Sequence, residues 1–285
     1  MPRLGVITDE LSEDLDRALA ICTELGIGTV ELRSIWNTNI IDLDDDQIGQ
    51  IEKMLRDGGF QVAAIASPYL KCHITEDDDA EIGNLHSAVV APRSQQPAIL
   101  ERSLELADRL GATMVRAFSF WRLEDPVAVR DDILETLRAA TETVAKRGKL
   151  LALENEHACN IATGAEAAWY LERIPDRTLG LIWDPGNEAA LGSVPYPAGY
   201  DLVKDRIHHI HLKDAASIST ETEFVRFGDG AIAYEEQFRA LVADGYDGVL
   251  SLETHYRLAD DREAASRESL DGIRTIAARA GLSLE

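Results

Sequence analysis

Lysine is scarce in this chain of 285 residues. Only six occur, at Lys53, Lys71, Lys146, Lys149, Lys204 and Lys213, and with arginine the basic residues total 28 against 51 acidic ones. The formal net charge of −23 leaves no basic footprint for a phosphate backbone and argues against nucleic acid as a partner. The surplus acid reads more simply as a strongly solvated surface. Cysteine is equally sparse: Cys22, Cys72 and Cys159, with no Cys-x-x-Cys pair. That excludes a disulfide framework and fits a reducing, cytoplasmic setting. No apolar run reaches membrane-spanning length, so no membrane partner is expected. The opening Met1-Pro-Arg-Leu-Gly-Val-Ile-Thr-Asp9 lacks the charged start and long apolar stretch of a signal peptide.

What is present is an alternation of short Val/Ile/Leu-rich runs with longer stretches of helical spacing. Strands are predicted at 4–7, 29–33, 62–67, 113–118, 150–154, 179–184, 207–213 and 249–253. Most are apolar at both parities, as expected for strands covered on both faces. Eight strands alternating with helices predict an α/β fold, a single (β/α)8 TIM barrel, and such barrels reach about 250 residues as one domain. No linker interrupts the chain, so residues 1–285 are expected to form one domain. Helix ends are legible as well. Ser12-Glu-Asp opens the first helix and Gly26 follows it. Asp125-Pro126 opens the fourth, as an N-cap followed by proline. Gly245 and Gly281 follow the last two. Two connections exceed what a barrel needs, about 68–97 and 215–230. Both follow strand C-terminal ends, where barrel active sites lie, so each is a candidate lid or substrate wall. The acidic run Glu76–Glu81 within the first reads as a surface insertion.

Four strand-like runs in the C-terminal half break into a polar residue where the strand ends: Leu-Ala-Leu-Glu154, Leu-Ile-Trp-Asp184, His-Ile-His211 and Leu-Ser-Leu-Glu253. They are spaced 30, 27 and 42 residues apart, each about one strand plus one helix. One polar residue per βα unit at matched depth is how a metal site is built at a barrel mouth. Each residue alone reads as a helix cap or ion-pair partner, and the four together favour the metal. Three carboxylates and one imidazole form a hard, oxygen-rich set that suits Mn²⁺ or Mg²⁺, with Co²⁺ or Zn²⁺ as alternatives. The three carboxylates exceed the charge of one divalent cation, which leaves one free to titrate or to act on substrate. By strand alternation His209 shares a face with His211 one layer below, and Lys213 shares it one layer above.

These residues carry a resemblance. The motifs Leu-Glu154-Asn-Glu-His, Trp-Asp184-Pro-Gly-Asn187, His209-Ile-His211-Leu-Lys213-Asp214, Gly228-Asp-Gly and Leu-Glu253-Thr-His, with Thr29-Val-Glu31-Leu-Arg33 before them, resemble in kind and order the xylose-isomerase-like TIM-barrel superfamily of sugar-phosphate isomerases and epimerases. The resemblance spans nearly the whole chain. It implies one divalent cation held by Glu154, Asp184, His211 and Glu253, with Glu154 and Glu253 also the acid/base pair. The implied activity belongs to carbohydrate metabolism. It is isomerisation or epimerisation of a small sugar, sugar phosphate or related polyhydroxy carbonyl compound through a metal-stabilised enediolate. The alternatives are a dehydratase of inosose or dehydroshikimate type on the same site, and a non-catalytic sugar-binding barrel. Candidate substrate contacts are Lys213, Asn187, Glu31, Arg116 and His209. Cations near strand ends (Arg33, Lys71, Arg116, Arg122, Lys213 and Arg257) raise an anionic substrate as an option, and a homo-oligomer is compatible with the sequence. Departures matter too. Asn160, Asn187 and Ser217 stand where the ketose 3-epimerase pattern has Glu, His and Arg, which argues against a free-sugar 3-epimerase.

Overall fold

The computed structural model describes every residue except Glu76, Asp79 and Asp260. Two residues of the acidic run at 76–81 therefore lie outside the described residues. Eight parallel strands close into a barrel: β1 (Arg3–Ile7), β2 (Thr29–Leu32), β3 (Gln61–Ile65), β4 (Met114–Ala117), β5 (Leu150–Glu154), β6 (Leu179–Trp183), β7 (Ile207–Leu212) and β8 (Val249–Leu252). Each pairs with its sequence neighbours, and β8 closes the ring on β1 through Arg3↔Val249 to Val6↔Leu252. All eight predicted runs are strands. Several end one or two residues early, with Arg33, Asp184, Lys213 and Glu253 falling just beyond their strands.

Helices pack outside: α1 (Leu15–Leu25), α2 (Asp45–Gly58), α3 (Gln96–Leu110), α4 (Arg130–Lys146), α5 (Gly164–Arg173), the short α6 (Tyr200–Val203), α7 (Tyr234–Asp244) and α8 (Arg262–Ala280). Their ends follow the expected local chemistry. Asp14 caps α1 by accepting from Arg17 N, and Gly26, Gly59, Gly111, Gly245 and Gly281 end helices at positive φ. One boundary differs from expectation. Asp125 accepts from Val127 N and caps a 3-10 turn over Pro126–Val129, and α4 starts only at Arg130. Proline satisfies the first turn without an N–H, and the tighter turn uses up the cap before the α-helix begins.

The barrel interior is filled below the mouth by Ala64, Met114, Ala152 and Ile182, with Leu150 packed against them. The larger apolar cluster lies between barrel and helices. Cys22, Cys72 and Cys159 are buried and free. Burial pushes the Cys22 and Cys72 thiols up to about 12, so these are packing residues rather than reactive ones.

Both long connections fold back over the mouth. The first is tied to β4's continuation where Phe118 N, Phe120 N and Trp121 N donate to the carbonyls of Tyr69, Leu70 and Cys72. The second forms a two-stranded hairpin, Asp214–Ala215 with Phe224–Val225. Helix α8 lies so close to the end of this segment that a Cβ on Gly272 would stand 1.9 Å from the Phe227 carbonyl oxygen. Gly272→Ala is therefore expected to lower stability by about 1–3 kcal/mol, as overpacking against backbone does. Urea unfolding checks this, and an unchanged midpoint would show that α8 can shift freely.

Candidate active site

Alternation along β7 turns His209 and His211 into the barrel, with Lys213 above them, and all three are buried. Glu154, at the end of β5, and Asp184 and Glu253, just beyond β6 and β8, reach the same level. Ligand-capable atoms of Glu154, Asp184, His211 and Glu253 lie within 4.8 Å of one another. The structure thus brings together the four strand-end residues singled out in the sequence.

Glu31 orients the imidazoles. Its Oε1 lies 2.8 Å from His209 Nε2 and its Oε2 3.2 Å from His211 Nε2. His211 consequently presents Nδ1 upward, 3.3 Å from Glu154 Oε1 and 3.5 Å from Glu253 Oε2. A carboxylate holding the far nitrogen of a ligand histidine is the usual way such a ring is fixed in orientation and made more basic. Burial alone would lower the His211 pKa, but Glu31, Glu154 and Glu253 more than reverse this and hold it well above its ordinary value. Glu31 and His209 were expected among the substrate contacts. They are fully buried one layer below the cluster and hydrogen-bonded to each other, and Glu31 also meets His211.

Asp184 combines two roles that the sequence could only offer as alternatives. Its Oδ1 accepts from Asn187 N at 2.9 Å, capping the turn Pro185–Ala189. Its Oδ2 is buried without a well-aligned hydrogen bond, although Lys213 Nζ stands 2.7 Å away. Burial raises its carboxyl to about 7, with Lys213 opposing the rise. Gly186 is required here, since a Cβ would meet Lys213 Cγ at 2.4 Å. Gly230 is likewise required: Asp214 accepts from Gly228 N and Gly230 N at 2.9 and 3.1 Å, and a Cβ on Gly230 would stand 2.2 Å from its Oδ1. The two motifs His-Ile-His-Leu-Lys-Asp and Gly-Asp-Gly thus lock onto each other.

Every buried cation near the cluster is matched by protein carboxylates. Lys213 Nζ lies 2.7 Å from both Asp184 Oδ2 and Glu253 Oε2. Arg116 Nη1 lies 3.0 Å from Glu154 Oε2 and 3.9 Å from Glu253 Oε1. Arg33 reaches Asp9, Glu10 and Glu253 at 2.7, 2.6 and 2.7 Å. Lys71 sits over the Phe118 ring, 3.4 Å from Glu156 Oε2. For Glu253, burial would raise the pKa, but Lys213, His211 and Arg33 hold it well below the ordinary carboxylate range. These four cations therefore neutralise the site's own acids, whereas Arg257 is exposed and lines the cleft.

Asn187 stands beside the pair, its Nδ2 donating to Asn155 O at 3.0 Å and to Glu154 Oε1 at 3.4 Å, while Oδ1 meets His157 Nδ1 at 2.8 Å. Asn160 is a loop staple: its Nδ2 donates to the carbonyls of Ser119 and Trp121, and its Oδ1 accepts from Leu123 N. Ser217 is exposed on the hairpin and bonds to Thr222 and Ser219. Arg122 pairs with Glu166. Trp121 and Trp183 are core side chains.

Above the cluster a cleft of about 540 Å³ is lined by Asp9, Glu10, Arg33, His86, Phe224 and His255, among others. Asp9, Glu10 and His86 had no sequence signal. They follow a strand or sit mid-loop without a motif, and only the return of the 68–97 segment over the mouth brings His86 here.

A closed parallel barrel with a polar cluster at the C-terminal ends of its strands defines a (β/α)8 protein of the enzyme-like kind. Residues 19–276 match the model of the Xylose isomerase-like TIM barrel family, and the chain belongs to that family. No curated protein matches the sequence. Among solved structures it is similar to the IOLI protein with a bound zinc atom (TM-score 0.77, 17% identity, covering 98% of this chain and 99% of that one). It is also similar to an L-ribulose 3-epimerase (0.73, 20%, 99% and 96%). A third is the probable 3-DHS dehydratase AsbF from Bacillus anthracis (0.72, 16%, 93% and 97%). At these identities the likeness shows the fold. Among the described residues no helix is long and apolar enough to cross a membrane.

Proposed function

We propose that the chain is a divalent-metal-dependent isomerase or epimerase of a small sugar, sugar phosphate or related polyhydroxy carbonyl compound. The observation that carries this reading is the placement of two carboxylates, Glu154 and Glu253, at the ends of β5 and β8, separated around the ring by β6 and β7 yet spanned by one guanidinium, Arg116. Two carboxylates facing a common space can take a proton from one face of a carbon and return one to the other.

Glu154, Asp184, His211 and Glu253 would hold the ion. The buried Asp184 Oδ2 with no well-aligned hydrogen bond and the converging hard donor set fit one. Mn²⁺ or Mg²⁺ suits the oxygen-rich set. Such an ion, when bound, supplies Lewis-acid polarisation of a carbonyl and its neighbouring hydroxyl. The chain's residues do the rest. Glu154 accepts the proton from the hydroxyl-bearing carbon, with Asn187 and Arg116 fixing its oxygens. Lys213 and Arg116 place positive charge where the enediolate's negative charge develops. Glu253, held ionised by its cationic neighbours, takes a proton from solvent before delivering it to the opposite face, and Glu154 releases the abstracted proton to solvent. The 68–97 segment and the hairpin narrow the cleft and limit water.

A panel of ketoses and polyol ketones incubated in D₂O with Mn²⁺ tests this reading. Deuterium at the carbon next to the carbonyl, with product mass otherwise unchanged, is the expected result. Loss of one water would assign the dehydratase alternative, and absence of exchange across the panel would sink the reading.

Metal binding should weaken as pH falls. His211 holds its proton more tightly than an ordinary histidine, and Asp184 titrates near 7. Both must be deprotonated to ligate, so binding releases protons. Affinity should drop about tenfold per pH unit for each proton displaced. Calorimetric titration with Mn²⁺ in buffers of different ionisation heat reads both affinity and proton count. A pH-independent affinity would rule out His211 as a ligand.

A further inference from the structure

Beside the four-residue cluster stands a second group of potential ligands, which joins two further histidines to Glu253. His86, Glu253 and His255 offer ligand atoms within 4.8 Å of one another. His255 follows β8 by three residues, and its Nε2 is buried without a hydrogen-bond partner. Its ring is set edge-on against Phe224 of the hairpin, with centroids 5.0 Å apart. His86 arrives from the opposite side on the 68–97 segment, its ring 6.2 Å from that of His255.

The position of His86 is built rather than incidental. His86 and Ser87 both adopt positive φ, 46° and 65°, which non-glycine residues take up rarely. The neighbouring structure pins them. Asn39 Nδ2 donates to His86 O at 3.2 Å, Asn84 Oδ1 accepts from His86 N at 2.8 Å, and Ser34 Oγ donates to Ser87 Oγ at 3.2 Å. Those contacts bind the loop to the β2 side of the mouth and hold the ring over Glu253. The surrounding cleft carries both signs, with Asp9, Glu10, Glu13 and Asp261 set among Arg33, Arg257 and Arg262.

We propose that His86, His255 and Glu253 form a second cation site, with Glu253 shared between it and the Glu154–Asp184–His211 cluster. The proposal rests on the four-residue reading only for that sharing. Two imidazoles and one carboxylate form the donor set that zinc-class ions take, with a fourth position left for water or substrate. The softer nitrogen pair sets this site apart from the oxygen-rich one below it. Glu253 already receives Arg33 on Oε1 and Lys213 on Oε2, so a bound cation must share or displace one of those contacts.

Zinc binding to chelator-stripped protein, counted after gel filtration by elemental analysis, tests the site. Visible absorption of the cobalt(II)-loaded protein reports nitrogen ligation independently. Wild type is expected to retain two equivalents. His255→Ala and His86→Asn, the latter chosen because asparagine tolerates positive φ, should each retain one. Asp184→Asn should lose the other equivalent and keep the histidine site. A single equivalent in wild type that Asp184→Asn removes and both histidine variants keep would overturn this proposal and leave the four-residue reading standing. Equivalents lost only in the histidine variants would support the second site and count against the four-residue one. No retained zinc in wild type would overturn this proposal, while the Mn²⁺ or Mg²⁺ reading of the four-residue cluster is decided by the D₂O exchange experiment.

Discussion

Glu154→Gln is expected to slow deuterium exchange next to the substrate carbonyl by about 10²–10⁴-fold, the usual contribution of a positioned general base. Glutamine keeps an oxygen that can face a metal and keeps the volume, so metal content and melting behaviour should change much less than rate. Glu253→Gln should also lose activity, but for a different reason. Glu253 is contacted directly by Arg33 and Lys213, which makes it a poor proton acceptor. Its removal leaves those two cations without their shared partner. The two variants should therefore separate. Glu154→Gln should lower the exchange rate without altering which product forms, whereas Glu253→Gln should permit slow exchange while suppressing product of inverted configuration. Full activity in Glu154→Gln would remove the acid/base role from this residue. Equal loss of exchange in both variants would mean that the division of labour is wrong.

Arg33→Met is expected to destabilise the fold by about 3–5 kcal/mol near neutral pH, the cost of leaving buried charges without their partner. Arg33 is 2% exposed, and its guanidinium meets Asp9, Glu10 and Glu253 together. Methionine fills much of the volume but leaves three carboxylates facing one another. The pH dependence has a definite sign. Glu10 is already raised by burial from 4.5 to about 7, so the folded state holds its proton more tightly than the unfolded one. Folding therefore loses stability as pH rises from about 4.5 through about 7. Removing Arg33 raises the proton affinity of Glu10 and Glu253 and steepens that loss. Urea unfolding at mildly acidic and mildly alkaline pH should show the variant's deficit growing with pH. A deficit that is small and constant would show that the arginine is dispensable to the fold.

Much of the barrel was legible because β-strands buried on both faces and amphipathic helices leave separate signatures. The eight runs from Leu4 to Glu253 become the eight strands. The strand-end residues were legible for a related reason. A carboxylate or imidazole after an apolar run has few places to go except the mouth. Spacing of one βα unit places Glu154, Asp184, His211 and Glu253 at one depth. Asp125 misled at one helix start because a local cap does not say whether the turn it caps is α or 3-10. Glu31 and His209 lie one layer below the cluster, a depth that parity does not give because it fixes only the face of a strand.

The amino-acid order by itself determined the alternation of strands and helices, the closure class and the four polar residues that meet at the mouth. Those follow from periodicities a few residues long and from the burial each strand demands. Only the tertiary structure decided which acids answer which cations. Lys213 faces Asp184 and Glu253, Arg33 gathers Asp9, Glu10 and Glu253, and His86 is carried from mid-loop to stand over His255. Those pairings join residues tens to hundreds of positions apart. Their energies depend on distance and burial, which no local pattern in the chain encodes.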